Sequence, residues 1–133
     1  MGGRGARSEL YDIMHDQPYG TEYTCIAKYG RYKILRFRDG KQSKAPMVTR
    51  TRGRVYAVID EKGDIVCIVF YDKKNKRVRQ IDLRHSHRID GVPIRPHVHV
   101  GYIHDEHGTR RPTPEEHKLM TQILTYWEKK RDK

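Results

Sequence analysis

The sequence predicts an α+β domain, with an antiparallel sheet of four or more strands, a short N-terminal helix and a packed C-terminal amphipathic helix. Three observations predict it. Runs rich in Val, Ile, Tyr and Phe recur between residues 21 and 103, parted by polar turns. The segment after Thr113 carries a helical apolar stripe behind a complete start signal. The length, 133 residues, suits one domain and leaves no room for two cores.

In chain order, residues 1–7 hold three glycines and two arginines and read as a flexible basic arm ahead of a single domain over 8–133. Ser8 can cap a short helix over 9–15, with Leu10, Ile13 and Met14 on one side. Pro18-Tyr19-Gly20 then breaks the chain. Residues 21–37 are strand-like through Tyr23, Cys25, Tyr29, Tyr32, Ile34 and Phe37, and Gly30 marks a turn or bulge. Asp39-Gly40 is a turn, and the polar, basic stretch 41–54 reads as a mobile loop entering a strand. The clearest hairpin joins 54–60 to 64–71 through Glu61-Lys62-Gly63. A second polar turn over 71–76 leads to a strand over 78–83, and another strand is expected over 97–103. Such a meander is most easily antiparallel. In the final helix Thr113 is the N-cap, Pro114 takes the first helical position, and Glu116 completes a capping box. Leu119, Met120, Ile123, Leu124 and Trp127 form the stripe. Lys129, Lys130, Arg131 and Lys133 suit the C-terminal end of the helix dipole.

Composition narrows the function. Hydrophobic residues make up 35% and charged residues 34%, against roughly 45–50% and 25% in ordinary domains. The core is therefore small and the surface heavily charged. The net charge of +11 asks for a polyanionic partner. The longest apolar run, 65–70, is far short of a bilayer span, and the N-terminus lacks the apolar core of a signal peptide. Cys25 and Cys67 read as buried thiols in a reducing cytoplasm, with no membrane partner. No phosphate-binding glycine loop and no Ser-His-Asp or Cys-His arrangement stands out.

Histidine placement is the strongest chemical signal. Six of the eight histidines lie between positions 85 and 107, where an even spread would place one or two. In an extended segment alternate residues share a face. With Val98, Val100 and Tyr102 towards the core, His97 and His99 stand side by side on the open face. Arg84-His85-Ser86-His87-Arg88 ends the preceding strand, and Gly91, Pro93 and Pro96 bend the chain back towards His97. Three readings stay open. The histidines form a general acid–base pair on a phosphodiester; or His85, His97 and His99 give a metal three nitrogens; or they are exposed and inert.

The basic region is the second signal. Between Lys28 and Arg54 stand ten basic residues and one acid, Asp39, interleaved with Tyr29, Tyr32 and Phe37. Cations of this density meet phosphates, and aromatics stack on unpaired bases. The residues expected to contact nucleic acid are Lys28, Arg31, Lys33, Arg36, Arg38, Arg50, Arg52, Arg54 and Arg84. An acidic protein surface that imitates nucleic acid would satisfy the same groups.

The stretch from Phe70 to Leu83, then His85 and Gly91, then Pro96-His97-Val98-His99, resembles the C-terminal toxin domains called polymorphic toxin type 24. It is also similar to small proteins of phages and mobile elements of Gram-positive bacteria that open Met-Gly-Gly-Arg-Gly. The likeness covers roughly residues 54–111 and the N-terminal signature. It implies a ribonuclease of the barnase–EndoU–colicin–RelE type, with a helical start, a curved antiparallel sheet, and His85, His97 and His99 as its site. The basic N-terminal half and the long C-terminal helix depart from that pattern and favour a stand-alone mobile-element protein. Such elements also carry inhibitors of host defence, anti-CRISPR proteins among them. The function expected is thus an RNA-binding protein that cleaves RNA by histidine acid–base chemistry, without metal or cofactor. The alternative is a non-catalytic inhibitor docking on a host nucleoprotein. A third reading is a structural DNA-binding accessory protein.

Overall fold

The computed structural model describes residues 6–7, 23–37, 45–49, 51–84, 87–89, 92–102 and 108–131. The expected helix over 9–15 lies outside them. The described strands are β1 (Ala6–Arg7), β2 (Tyr23–Tyr29), β3 (Tyr32–Phe37), β4 (Val48–Thr49), β5 (Val55–Ile59), β6 (Ile65–Tyr71), β7 (Arg77–Asp82), β8 (His87–Ile89), β9 (Val92–Ile94), β10 (His97–Val100) and β11 (Thr109–Arg110). One helix, α1 (Pro114–Arg131), follows. Seven strands form the main sheet in the order β11-β10-β7-β6-β5-β3-β2, and β1–β4 and β8–β9 are separate two-stranded pairs.

The sheet is mixed, which corrects the expected antiparallel meander. All its neighbours are antiparallel except β3 and β5, which run parallel with Tyr32 opposite Val55 and Arg36 opposite Ile59. Parallel neighbours need a crossover of a dozen residues or more, and the stretch between Phe37 and Val55 is long enough to make one. Part of that stretch, read from sequence as a mobile loop, is docked. Ala45 packs on Val58, Val66, Cys67 and Val69. The Tyr71 hydroxyl donates to the Pro46 carbonyl at 2.5 Å, and the Thr49 and Tyr56 hydroxyls lie 2.7 Å apart. The arm also departs from expectation at its end, where Ala6 and Arg7 pair with Thr49 and Val48.

The β5–β6 and β6–β7 turns share one design. Asp60 Oδ1 accepts the N–H groups of Lys62 and Asp64, and Asp72 Oδ1 accepts those of Lys74 and Lys76. In each, the fourth residue takes a left-handed conformation, Gly63 at φ 88° and Asn75 at φ 64°. These are the residue types that tolerate it. Gly63 has a second reason to lack a side chain, because a Cβ there would meet Arg131 Nη2 at 3.0 Å.

The main core lies between one sheet face and α1. Ile34, Ala57, Ile59, Ile68, Phe70, Ile81 and Val98 meet Met120, Ile123 and Trp127. The expected capping box is present: the Glu116 N–H donates to Thr113 Oγ1 at 3.1 Å, and the Thr113 N–H donates to Glu116 Oε1 at 2.8 Å. At the other end of the helix the Trp127 indole donates to the Gly63 carbonyl at 2.7 Å, while Arg131 pairs with Asp64 at 3.0 Å. Sequence expectation and structure agree on this element. No described helix is long and apolar enough to cross a membrane.

Candidate functional site

Alternation along the strands places the site on the face away from α1. Ile81 and Val98 belong to the helix-side core, so their neighbours Gln80, Asp82, His97 and His99 project from the opposite face. Register then brings them together. Asp82 stands opposite His97 and Gln80 opposite His99, and His99 faces Thr109 on the next strand. From β2 to β6 this second face is apolar, built of Tyr23, Leu35, Phe37, Tyr56, Val58, Cys67 and Val69. At β7, β10 and β11 it turns polar.

The geometry there is compact. His97 Nε2 and His99 Nε2 are 3.0 Å apart, with the rings edge to face at 88°. Asp82 Oδ2 lies 3.8 Å from His97 Nε2. Asp82 Oδ1 accepts the Arg84 N–H at 2.9 Å, which fixes the carboxylate. Thr109 Oγ1 lies 3.2 Å from His99 Nδ1 and fixes that ring. Donor atoms of Asp82, His97 and His99 all fall within 4.8 Å of one another, the spacing of a metal-ligand set. His97 is 2% exposed and His99 6%. The expectation of an open face is therefore corrected: the two rings share a face as predicted, but that face is covered.

Next to the pair, Arg77 is buried and spends its guanidinium on structure. It donates to the Gly101 carbonyl at 3.2 Å, to Gln80 Oε1 at 2.8 Å and to the Tyr102 carbonyl at 2.9 Å. This ties the chain after His99 to the start of β7. The basic turn residues converge at the same end of the sheet. Arg52 donates to the Lys73 carbonyl, the Val55 N–H reaches the Arg31 carbonyl, and Lys76 Nζ lies 5.2 Å from the Tyr102 ring centre. Gly101 follows His99 by two residues, about 7 Å of strand, so this cationic end borders the histidines.

The expected site residues divide accordingly. His85, Arg38 and Arg50 lie outside the described residues. Lys28, Arg31 and Arg52 are exposed, and Lys33, Arg36 and Arg54 are half-buried. Lys28 and Lys33 stand opposite each other in register. Arg84 follows Asp82 by two residues, holds that carboxylate through its N–H, and pairs its guanidinium with Asp60 at 2.8 Å. Reading the sequence missed Asp82, Thr109 and the turn lysines Lys73, Lys74 and Lys76. Asp82 carried a usable signal, an acid at a strand position whose neighbours in the alternation face the sheet's second side.

Neither cysteine belongs to the site's chemistry. Burial, helped by the Asp82 charge, pushes the Cys67 thiol up to about 12, so it stays protonated and inert. Cys25 is only half-buried, not fully as expected, and its Sγ lies 3.4 Å from the Ala27 carbonyl. Comparison with family models, with curated proteins and with solved structures finds no match.

Proposed function

We propose that the protein binds RNA at its cationic turn end and cleaves it by acid–base chemistry at the His97–His99 pair. One observation carries this reading: two imidazole nitrogens 3.0 Å apart beside a carboxylate. At that spacing the two ring nitrogens can share one hydrogen between them. Strand cleavage needs one ring to act as base and the other as acid. The neutral ring takes the ribose 2′-OH proton, the 2′-oxygen attacks phosphorus, and the protonated ring supplies a proton to the leaving 5′-oxygen. Cations at Lys76, Arg52 and Arg54 suit the charge of the strand and of the phosphorane. The likeness to toxin-type ribonucleases points to these two histidines together with His85, and a phage or mobile-element protein acting in the host cytoplasm fits the basic composition.

A second reading has its own observation. Both rings are almost fully buried while Arg31 and Arg52 are exposed. A non-catalytic inhibitor docking on a host nucleoprotein needs only the exposed cations. Labelled RNA incubated with the protein separates the two. A nuclease turns over, leaves 2′,3′-cyclic phosphate ends, spares DNA and fails when His97 and His99 are both replaced by Ala. An inhibitor cleaves nothing and acts in proportion to its target.

A further inference from the structure

We infer that Asp82, His97 and His99 form a site for one divalent cation of the zinc class. Its existence does not depend on the RNA reading; only its effect on cleavage does.

Spacing is the first argument. Zinc lies about 2.0–2.1 Å from imidazole nitrogen and carboxylate oxygen, so two ligand atoms at a tetrahedral angle stand about 3.3 Å apart. The His97–His99 nitrogen separation of 3.0 Å and the His97–Asp82 separation of 3.8 Å bracket that value. Seating a cation needs shifts of a few tenths of an ångström at those two pairs, and all three donors lie within 4.8 Å of one another.

Orientation is the second. His99 Nδ1, 3.2 Å from Thr109 Oγ1, can donate its hydrogen to that hydroxyl. The tautomer with hydrogen on Nδ1 presents Nε2 as a lone pair, the form that binds a metal. The Arg84 N–H holds one oxygen of Asp82 and turns the other towards His97. All three ligands sit at the ends or middle of adjacent strands in register, which is a stiff frame for a fixed ligand set.

Donor type selects the cation. Two imidazoles and one carboxylate suit zinc or cobalt, whereas magnesium and calcium prefer all-oxygen shells. Three protein ligands leave one tetrahedral position for water or a phosphate oxygen. A bound cation also occupies both Nε2 lone pairs, so the loaded pair can no longer pass a proton between them. If cleavage runs by the acid–base route, zinc suppresses it.

The test uses the full chain, stripped with chelator and titrated by calorimetry with zinc and, separately, by visible absorption with cobalt. The expected result is one equivalent bound, with the intense d–d bands of tetrahedral cobalt. Asp82→Asn and His99→Gln should each weaken binding by at least tenfold. Thr109→Val removes only the group orienting His99 and should cost roughly 10–100-fold with circular dichroism unchanged, which keeps the test valid if a ligand variant misfolds. No saturable uptake of either metal, or equal uptake by all three variants, overturns the site. Labelled RNA run with the stripped and zinc-loaded forms tests the other reading apart from it. Tight zinc binding with no cleavage in either form leaves the cation site standing and removes the nuclease.

Discussion

The two faces of the sheet are built from the same strands and covered by opposite means. Towards α1 an apolar core runs from β2 to β10 under one amphipathic helix, with Arg79 of β7 paired to Glu116 of that helix. On the other face the apolar side chains stop at β6, and Gln80, Asp82, His97, His99 and Thr109 take over. Burying apolar area is favourable in itself, but burying polar atoms costs free energy unless each is matched. The helix side is therefore where stability is concentrated. The polar edge of the second face is a feature that stability alone does not call for, which is why chemistry is sought there.

Replacing Trp127 by Ala tests the helix side most severely. The ring is buried and its indole N–H is bonded to Gly63. The expected loss is about 3–5 kcal/mol in urea unfolding. Metal uptake and RNA cleavage, measured where the variant is still folded, should be unchanged. A loss below about 1 kcal/mol would mean that the helix stripe does not anchor the sheet.

His99→Ala makes the converse test. Turnover on RNA should fall by about 10²–10³-fold, within the range for losing a general acid or base, while RNA affinity changes little. The wild-type rate should be bell-shaped in pH, because one ring must be neutral while its partner is protonated. A variant that loses affinity and keeps turnover would move the chemistry off the second face.

Glu116 divides the contrast differently, as a buried charge on the apolar side. Burial pushes its carboxyl up, but hydrogen bonds from Arg110 and the Thr113 N–H, with the charges of Arg110 and Arg79, outweigh this and hold it at about 2. Its ordinary value is 4.5. The ionised form is favoured in the folded state, so its stabilisation is complete above about pH 4.5 and is lost as pH falls towards 2. Glu116→Gln should cost about 2 kcal/mol at neutral pH, discounted because both arginines are more than a third exposed. In acid titrations followed by circular dichroism, the wild type's lead should shrink to nothing near pH 2. A lead that persists there would assign the effect to packing instead of charge.

What could be read from the sequence follows the range of the interactions. The helix was legible because its signals are local: the capping box from Thr113 to Glu116 and a stripe at helical spacing. The β5–β6 hairpin was legible for the same reason, its turn spelled by Glu61-Lys62-Gly63. The parallel β3–β5 pair was not, because strand direction depends on where a long connection returns, and 41–54 offers no periodic pattern to reveal it. The histidines split along this line. That His97 and His99 share a face is a period-two fact within one strand. That Asp82 and Thr109 join them, and that both rings are buried, depends on register between strands distant in sequence.

The smallest expected effect lies at the border between the two faces, where the cationic turns meet the end of β10. If RNA binds as proposed, Arg52 and Arg54 act as charges and not through a shaped pocket, so a single replacement should change affinity only modestly. The informative quantity is the salt dependence. The logarithm of the binding constant should fall linearly with the logarithm of salt, with a slope of about −0.7 for each phosphate neutralised on single-stranded nucleic acid. Replacing both arginines by Ala should flatten that slope by about 1.4, with His99→Ala leaving it unchanged. Arg84, paired with Asp60 at the opposite end of β7, provides the internal control, and Arg84→Ala should leave the slope as it is. If Arg84→Ala flattens the slope and the Arg52 and Arg54 pair does not, RNA enters from the far end of β7, and the turn lysines are surface charge without a partner.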